Sequence, residues 1–313
     1  MSKNDHLEAI ECLVSIDDFI RWATSQFYAS PVFFGHGTVD AHQEAYALVM
    51  GALHLPFELY EQVKHARLVH SEKEHLVAMI DARINQRIPV PYLLNKSWFC
   101  GLEFFVDERV LIPRSPISEL IEQRFDAWVE PEKVSRVLDL CTGSGCIAIA
   151  CAYAFPEAEI DAVDLSADAL DVAQYNIENL GCLEQVFPIL SDCFQEIPQG
   201  TAYDLIVSNP PYVDQEDFDD MPEEFAHEPE MALVSGFDGL DLTRKILFEA
   251  PDYLTEDGVL ILEVGNSMLQ LIACYPSVPF SWIKFERGGD GVFAISKQDL
   301  LAHRNEFVST SKA

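Results

Sequence analysis

A chain of 313 residues with 49% apolar composition can build well-packed cores but is too long for one small one, so two domains are expected. Its 52 acidic residues against 20 basic give a formal net charge of −32, the opposite of the basic stripe with which DNA and RNA binders neutralise phosphates. Such a field repels nucleic acid and attracts basic proteins, and an acidic surface also serves solubility alone; the two readings coexist.

No apolar run approaches the ~18 residues that a membrane span needs. The N-terminal "MSKNDHLEAIECL" has no basic region followed by an apolar core, so no secretory signal is expected. Eight cysteines without a Cys-x-x-Cys pair read as free thiols, which fits a cytoplasmic protein. The nine histidines lack zinc-like spacing, and no metal site is expected.

Residues 1–97 read as helical. "HLEAIECLVSIDDFIRWATSQF" carries Leu7, Ile10, Leu13, Val14, Phe19, Ile20, Trp22 and Ala23 at helical spacing. The aromatic-rich loop "FYASPVFFGHGTVD" follows, with Asp40 placed to cap the next helix. "SEKEHLVAMIDARINQRI" opens with a capping-box pattern, Ser71 to Glu74, and Pro89 and Pro91 end the region. Residues 98–114 alternate around a glycine and predict a hairpin linker. From about residue 134 strand and helix patterns alternate to the C-terminus: strands at "SRVLDLC", "EIDAVDL", "QVFPIL", "YDLIVS" and "GVLILEVG", helices between them, and a last strand pair in "FSWIKFE" and "GVFAISK". That alternation predicts an α/β fold, a doubly wound parallel sheet over residues 115–313. The acidic excess sits here: residues 1–97 hold 8 basic and 12 acidic residues, residues 98–313 hold 12 and 40, and no Lys or Arg lies between Arg136 and Arg244.

"VLDLCTGSGCIAIA" is a strand, a glycine-rich turn and a helix. Gly143 and Gly145 let the backbone turn sharply and leave no Cβ in a ligand's way. Asp164 ends the next strand about 20 residues on, where a carboxylate binds ribose hydroxyls. Gly143-x-Gly145-x-x-Ala148 also satisfies the dinucleotide fingerprint, so from these residues alone S-adenosylmethionine and NAD stand near even. "LSDCF" then places Asp192 at a third strand end to accept an adenine amino group, with Phe194 to pack on the ring.

"SNPPYV" follows the strand "YDLIV". In a doubly wound sheet, ligands bind where the strand order reverses, between the first and fourth strands. That sets Asn209 beside the glycine turn. The Asn209 side-chain oxygen and the Pro210 carbonyl can each accept one hydrogen of a planar NH2 group. This localises electron density on its nitrogen and aims it at a methyl donor. Pro210 and Pro211 restrict φ, so the acceptors are preorganised, and Tyr212 can stack on the flat group.

Together "LDLCTGSG", Asp164, Asp192 and "NPPY" resemble the Rossmann-fold methyltransferases that act on planar nitrogens. The flanking "VDERVLIPR" (106–114), "EPEMALVSGFDGLDL" (228–242) and "LILEVGN" (260–266) resemble the HemK-type protein glutamine N5-methyltransferase family over nearly the whole chain. Release-factor enzymes of that family carry an "RPETE"-like segment where this chain has "RSPISEL" (114–120). With "FGHGT", "YLLNKSWFCG" and "FERGGDGVF", the departure resembles the branch that methylates a glutamine of large-subunit ribosomal protein L three. The resemblance implies a Rossmann-like methyltransferase sheet behind a small helical domain that recognises substrate. It implies S-adenosylmethionine as cofactor, held by Asp139, Thr142, Gly143, Ser144 and Gly145, by Asp164 and Leu165, by Asp192, Cys193 and Phe194, and by Asn209. Asn209, Pro210, Pro211 and Tyr212 are the expected catalytic set. The expected partner is a basic protein, ribosomal protein L three before assembly, and the nine acids and no Lys or Arg of residues 214–230 suit it. Release factors, a nucleic-acid amino group and a non-catalytic assembly role are the alternatives.

Overall fold

The computed structural model describes residues 3–307 and falls into two compact units. The first takes the chain up to Ser97, with Val106–Glu108 and Pro222–His227. Its helices are α1 (Lys3–Cys12), α2 (Ile16–Tyr28), α3 (Ala41–Ala52), α4 (Tyr60–Val63), α5 (His70–Asn85) and α6 (Val90–Leu94). The apolar stripe of residues 7–23 is broken between α1 and α2 because Ser15 starts a new helix. Its hydroxyl accepts from Asp18 N at 3.2 Å, and the Asp18 carboxylate accepts from Ser15 N at 2.9 Å. Asp40 caps α3, accepting from Gln43 N at 2.8 Å. Ser71 does not cap α5. The N-cap is Val69, two residues earlier, and the Glu72 carboxylate takes the Val69 N–H at 2.8 Å.

Phe19, Ala23, Phe27, Leu48, Met50, Leu76 and Ile80 form the core of this unit. Arg83 lies fully buried at its side, donating to Glu44, to Glu224 at 2.9 Å and to the Phe33 carbonyl at 2.7 Å. Glu224 also accepts from Phe33 N at 2.8 Å and from Arg87 at 3.1 Å. A buried guanidinium is tolerated because its donors are met by two carboxylates and a carbonyl. Segment 222–227 is thereby fastened into the helical unit.

The second unit opens on a hairpin, β1 (Ser97–Phe99) and β2 (Leu102–Phe104), although Ser97 itself belongs to the first. Strands β3 (Arg136–Leu140), β4 (Glu159–Asp164), β5 (Val186–Leu190), β6 (Tyr203–Ser208), β7 (Leu254–Glu263), β8 (Ser281–Trp282) and β9 (Val292–Ser296) form one sheet in the order β5-β4-β3-β6-β7-β9-β8. The first five in that order are parallel and the last two pairings antiparallel. This is the doubly wound arrangement expected from the sequence. Alternate strand residues feed two cores. Val137, Ile160, Leu205 and Ile261 pack with α7 (Ile117–Glu122) and α8 (Cys146–Ala154). Leu138, Ile206, Leu260 and Phe293 pack with α11 (Asp241–Glu249), α12 (Met268–Cys274) and α13 (Lys297–His303). Helices α9 (Ala167–Asn179) and α10 (Gln215–Asp219) complete the unit.

Strand β8 is shorter than "FSWIKFE" suggests. Ile283 still donates to the Val292 carbonyl at 2.9 Å, but the chain then turns away to where the Glu119 carboxylate takes the N–H groups of Glu286 and Arg287. The sequence reading did not include α13; Ser296 caps it, accepting from Asp299 N at 3.1 Å.

Replacing Arg83 by Met leaves two carboxylates buried without their shared cation. The expected loss is about 3–5 kcal/mol in urea unfolding of the full chain, and an unchanged midpoint would contradict it. Burial pushes the Glu224 pKa up, but bonds from Arg83 and Phe33 N hold it below the usual 4.5. Its contribution is therefore present above pH 4.5 and lost as pH falls through the lower folded value, so stability falls more steeply below pH 4.5 in wild type than in Glu224→Gln.

Candidate active site

The sheet register brings the site together. Leu140 pairs with Val163 and with Ser208, and Asp164 pairs with Leu190. The turns after β3, β4, β5 and β6 therefore leave one edge of the sheet, two of them flanking the point where strand order reverses. Gly143 and Gly145 have φ of 55° and 79°. A Cβ on Gly143 would meet open space, whereas one on Gly145 would stand 3.3 Å from the Ala173 Cβ of α9. The first glycine thus leaves room and the second allows close packing.

Two carboxylates shape this turn. Asp139 is buried, accepting from Thr142 Oγ1 at 2.5 Å and Ala148 N at 3.1 Å, and burial pushes its pKa up to about 7. Asp164 accepts from Gly143 N at 2.8 Å and Ser166 N at 2.9 Å; burial raises its pKa against the pull of these donors. Asn176, which the sequence reading passed over, donates to the Ser144 carbonyl at 2.8 Å and exchanges two bonds with the Phe105 backbone.

A cavity opens beside the turn. Gly143, Asp164, Leu165, Asp192, Cys193, Asn209 and Pro211 line it. Asp139, Thr142, Ser144 and Gly145 are not on its wall; Asp139 lies in β3 and supports the turn that holds the other three. Phe194, expected over an adenine ring, is buried and stacks on Tyr253 with ring centroids 4.7 Å apart. Asp192 is ion-paired with Lys245 at 2.7 Å and accepts from Gln195 at 3.1 Å. The opposite wall comes from Arg109–Leu111 and from Pro229, Met231 and Ala232, none of them named from the sequence. Their signal was present in "VDERVLIPR" and "EPEM". Arg114 holds the Glu228 carboxylate through two bonds of 2.6 and 2.7 Å, and Ile112 N donates to it at 3.0 Å, which joins the two segments.

Asn209 leaves the end of β6 with its Oδ1 buried and without a hydrogen-bond partner among the described residues. Ser208 before it anchors to the Leu140 carbonyl at 2.7 Å. Pro210 and Tyr212 are not on the cavity wall, and Tyr212 is braced from behind. Its hydroxyl donates to Glu263 at 3.2 Å, and Ser115 donates to the other Glu263 oxygen at 2.5 Å. Burial pushes Glu263 up to about 7 and raises the Tyr212 phenol further above its ordinary value. A Cβ on Gly265 would stand 2.4 Å from the Tyr212 ring, and one on Gly239 2.2 Å from its carbonyl oxygen. Among the described residues no His, Cys, Asp and Glu group is arranged to hold a metal ion.

The model of the methyltransferase small domain matches residues 118–238. The curated ribosomal protein uL3 glutamine methyltransferase of Francisella tularensis is 45% identical over 307 residues, covering 98% of each chain. That of Neisseria meningitidis serogroup B is 47% identical over 296 residues, 94% of this chain and 97% of its own. The chain belongs to this family. Among solved structures, the hMettl16 catalytic domain in complex with a MAT2A 3′UTR hairpin is 15% identical, with 72% of this chain and 81% of that one covered and a TM-score of 0.49.

As a uL3 glutamine methyltransferase family member the protein is an enzyme, and its cofactor is S-adenosylmethionine, which supplies an electrophilic methyl group. The residues fit that group: Asp164 puts a carboxylate on the cavity wall, of the kind that accepts from ribose hydroxyls, Gly143 leaves room for a close approach, and Leu165 and Met231 offer exposed apolar surface on the wall. Asp164→Ala should weaken S-adenosylmethionine binding about tenfold or more by calorimetry, since bonds to a charged acceptor are lost; unchanged affinity would move the ribose elsewhere. Glu263→Ala should leave that affinity within about twofold and lower turnover about tenfold, because the brace on Tyr212 is lost. An unchanged rate would remove Glu263 from any positioning role.

Proposed function

We propose that this enzyme methylates the side-chain amide nitrogen of a glutamine in large-subunit ribosomal protein L three. Family membership supports the substrate. The single structural observation that carries the chemistry is the Asn209 Oδ1, a buried acceptor at the cavity wall with no partner among the described residues. Burying an unmet acceptor is unfavourable by about 1–3 kcal/mol, so it suits a donor that arrives with substrate. A glutamine amide brings two N–H donors, one for Asn209 Oδ1 on the cavity wall and one for the carbonyl of Pro210, which lies in the chain between the wall residues Asn209 and Pro211. An amide nitrogen is a poor nucleophile because its lone pair is delocalised; two fixed acceptors return density to it. The surplus proton leaves after attack, so no general base is asked of the chain. Tyr212 keeps the far side of the motif in place.

Charge supports a basic protein as partner and opposes nucleic acid. Of the nine acids in 214–230, Glu224 and Glu228 are buried against arginines, whereas Glu216, Asp217, Asp219, Asp220, Glu223 and Glu230 are exposed. The helical unit is assigned to substrate recognition. No helix among the described residues is long and apolar enough to cross a membrane, and cysteines without disulfides support a cytoplasmic location.

Purified enzyme, labelled S-adenosylmethionine and, separately, ribosomal protein L three, a release factor and duplex DNA test the proposal. Label is expected on a glutamine of the ribosomal protein alone, located by mass spectrometry. Label on the release factor would overturn the substrate, and label on DNA the charge argument. Asn209→Ala should bind cofactor within about threefold of wild type yet lose more than about a hundredfold in turnover. Substantial activity in that variant would remove Asn209 from catalysis.

A further inference from the structure

The segments that hold Tyr212 run outward into two large apolar side chains that no core uses. Val213 and Val234 form a short parallel bridge, with Val213 N donating to the Leu233 carbonyl at 2.8 Å and Ser235 N to the Val213 carbonyl at 2.9 Å. The chain then loops through Gly236–Gly239 and returns Gly239 against the Tyr212 carbonyl. The loop is stiff. Both glycines have positive φ, Asp238 takes two bonds from Arg244, and it also accepts from Leu240 N at 3.2 Å. At the tip Phe237 is 94% exposed, the most exposed large apolar residue among those described. The Ser267 hydroxyl donates to the same Tyr212 carbonyl at 2.7 Å, and two residues on, Leu269 is 76% exposed.

Single exposed apolar side chains are ordinary on a protein surface. These two differ because each lies two residues from a group packed on the Tyr212 carbonyl, and a Cβ on Gly239 would stand 2.4 Å from Ser267 Oγ. They flank the same end of the NPPY motif. Acid lies beside them: Asn266 donates to Asp217 of α10 at 2.7 Å, and Glu216, Asp219 and Asp220 are exposed on or just after that helix.

We propose that Phe237, Leu269 and the acidic edge of α10 form the docking surface for the polypeptide segment that carries the target glutamine. The partner is a basic segment with an apolar side chain close to that glutamine. The proposal rests on the glutamine-methylation reading above. An aromatic side chain has only two torsions to fix, loses little entropy on burial and serves as an anchor. The carboxylates raise the encounter rate of a positively charged partner and make it sensitive to salt.

The test uses the full chain with purified ribosomal protein L three. Phe237→Ser, Leu269→Ser and the double variant remove side chains that already sit in water, so folding is preserved. The double variant should raise KM for the protein substrate about tenfold or more, with kcat and S-adenosylmethionine affinity within about twofold. Glu216→Gln, Asp219→Asn and Asp220→Asn together should flatten the fall of kcat/KM with added salt. Wild-type labelling of the ribosomal protein with unchanged kcat/KM in the double variant would overturn the docking surface alone. No label with wild type would overturn the substrate reading and the surface with it.

Discussion

A carbonyl oxygen held inside a protein without a hydrogen bond is the constraint around which this site is built. Asn209 Oδ1 has no partner among the described residues, and nothing in the residue itself would keep it so; an asparagine free to rotate would find a donor or water. The surroundings hold it. Ser208 is the last residue of β6 and is bonded to the Leu140 carbonyl, so the strand cannot fray. Pro210 and Pro211 have no N–H to offer and leave φ little freedom. Tyr212 is clamped at its hydroxyl by Glu263 and at its carbonyl by Ser267, with Gly239 and Gly265 packed where no side chain fits. Gly291 in turn packs on Gly265, where a Cβ would stand 2.2 Å from the Gly265 oxygen. Gly239 and the 263–267 segment meet at Tyr212, Leu140 holds the residue before the motif, and Gly291 packs on Gly265.

The buried carboxylates follow the same logic with a different outcome. Asp139 and Glu263 are both fully enclosed, and desolvation outweighs their hydrogen bonds, so both rise to about 7. Neither ionises as readily as an ordinary surface acid. Glu228 is treated otherwise: a bidentate Arg114 meets it, and the pair ties two cavity-wall segments together. Where a carboxylate braces a turn or the Tyr212 hydroxyl, burial raises its pKa; where it ties two segments, a guanidinium meets it.

Much of this was legible in the sequence because it is local. The glycine turn, Asp164 at the next strand end and NPPY each carry their geometry within a few residues, and parallel pairing assembles them once the strand order is known. The cavity's second wall was not legible in that way. It depends on Arg114 finding Glu228 across 114 residues, and no periodicity encodes such a pair. Phe194 was placed over a ligand because it follows a strand end, but backbone direction decides which core an aromatic enters, and Tyr253 holds it inside. Ser71 illustrates a smaller limit: two overlapping cap patterns compete, and Glu72 closes the helix two residues earlier, at Val69.

Charge counting also changes meaning once the fold is known. Residues 214–230 read from sequence as one acidic run, nine carboxylates with a single presumed task. The fold divides them. Glu224 is drawn into the helical unit by Arg83 and Glu228 toward Arg114, so two of the nine are structural and do not project charge toward a partner. Asp214 is spent on the first turn of α10, where it accepts from Asp217 N. Four of the carboxylates left in water, Glu216, Asp217, Asp219 and Asp220, lie on or just after one short helix, which Asn266 joins to the segment that grips Tyr212. A run of acids spread evenly over the surface would give solubility and little direction. With Glu224 and Glu228 buried as anchors, the acids of α10 concentrate the outward field beside the NPPY motif, which suits the arrival of a basic protein substrate.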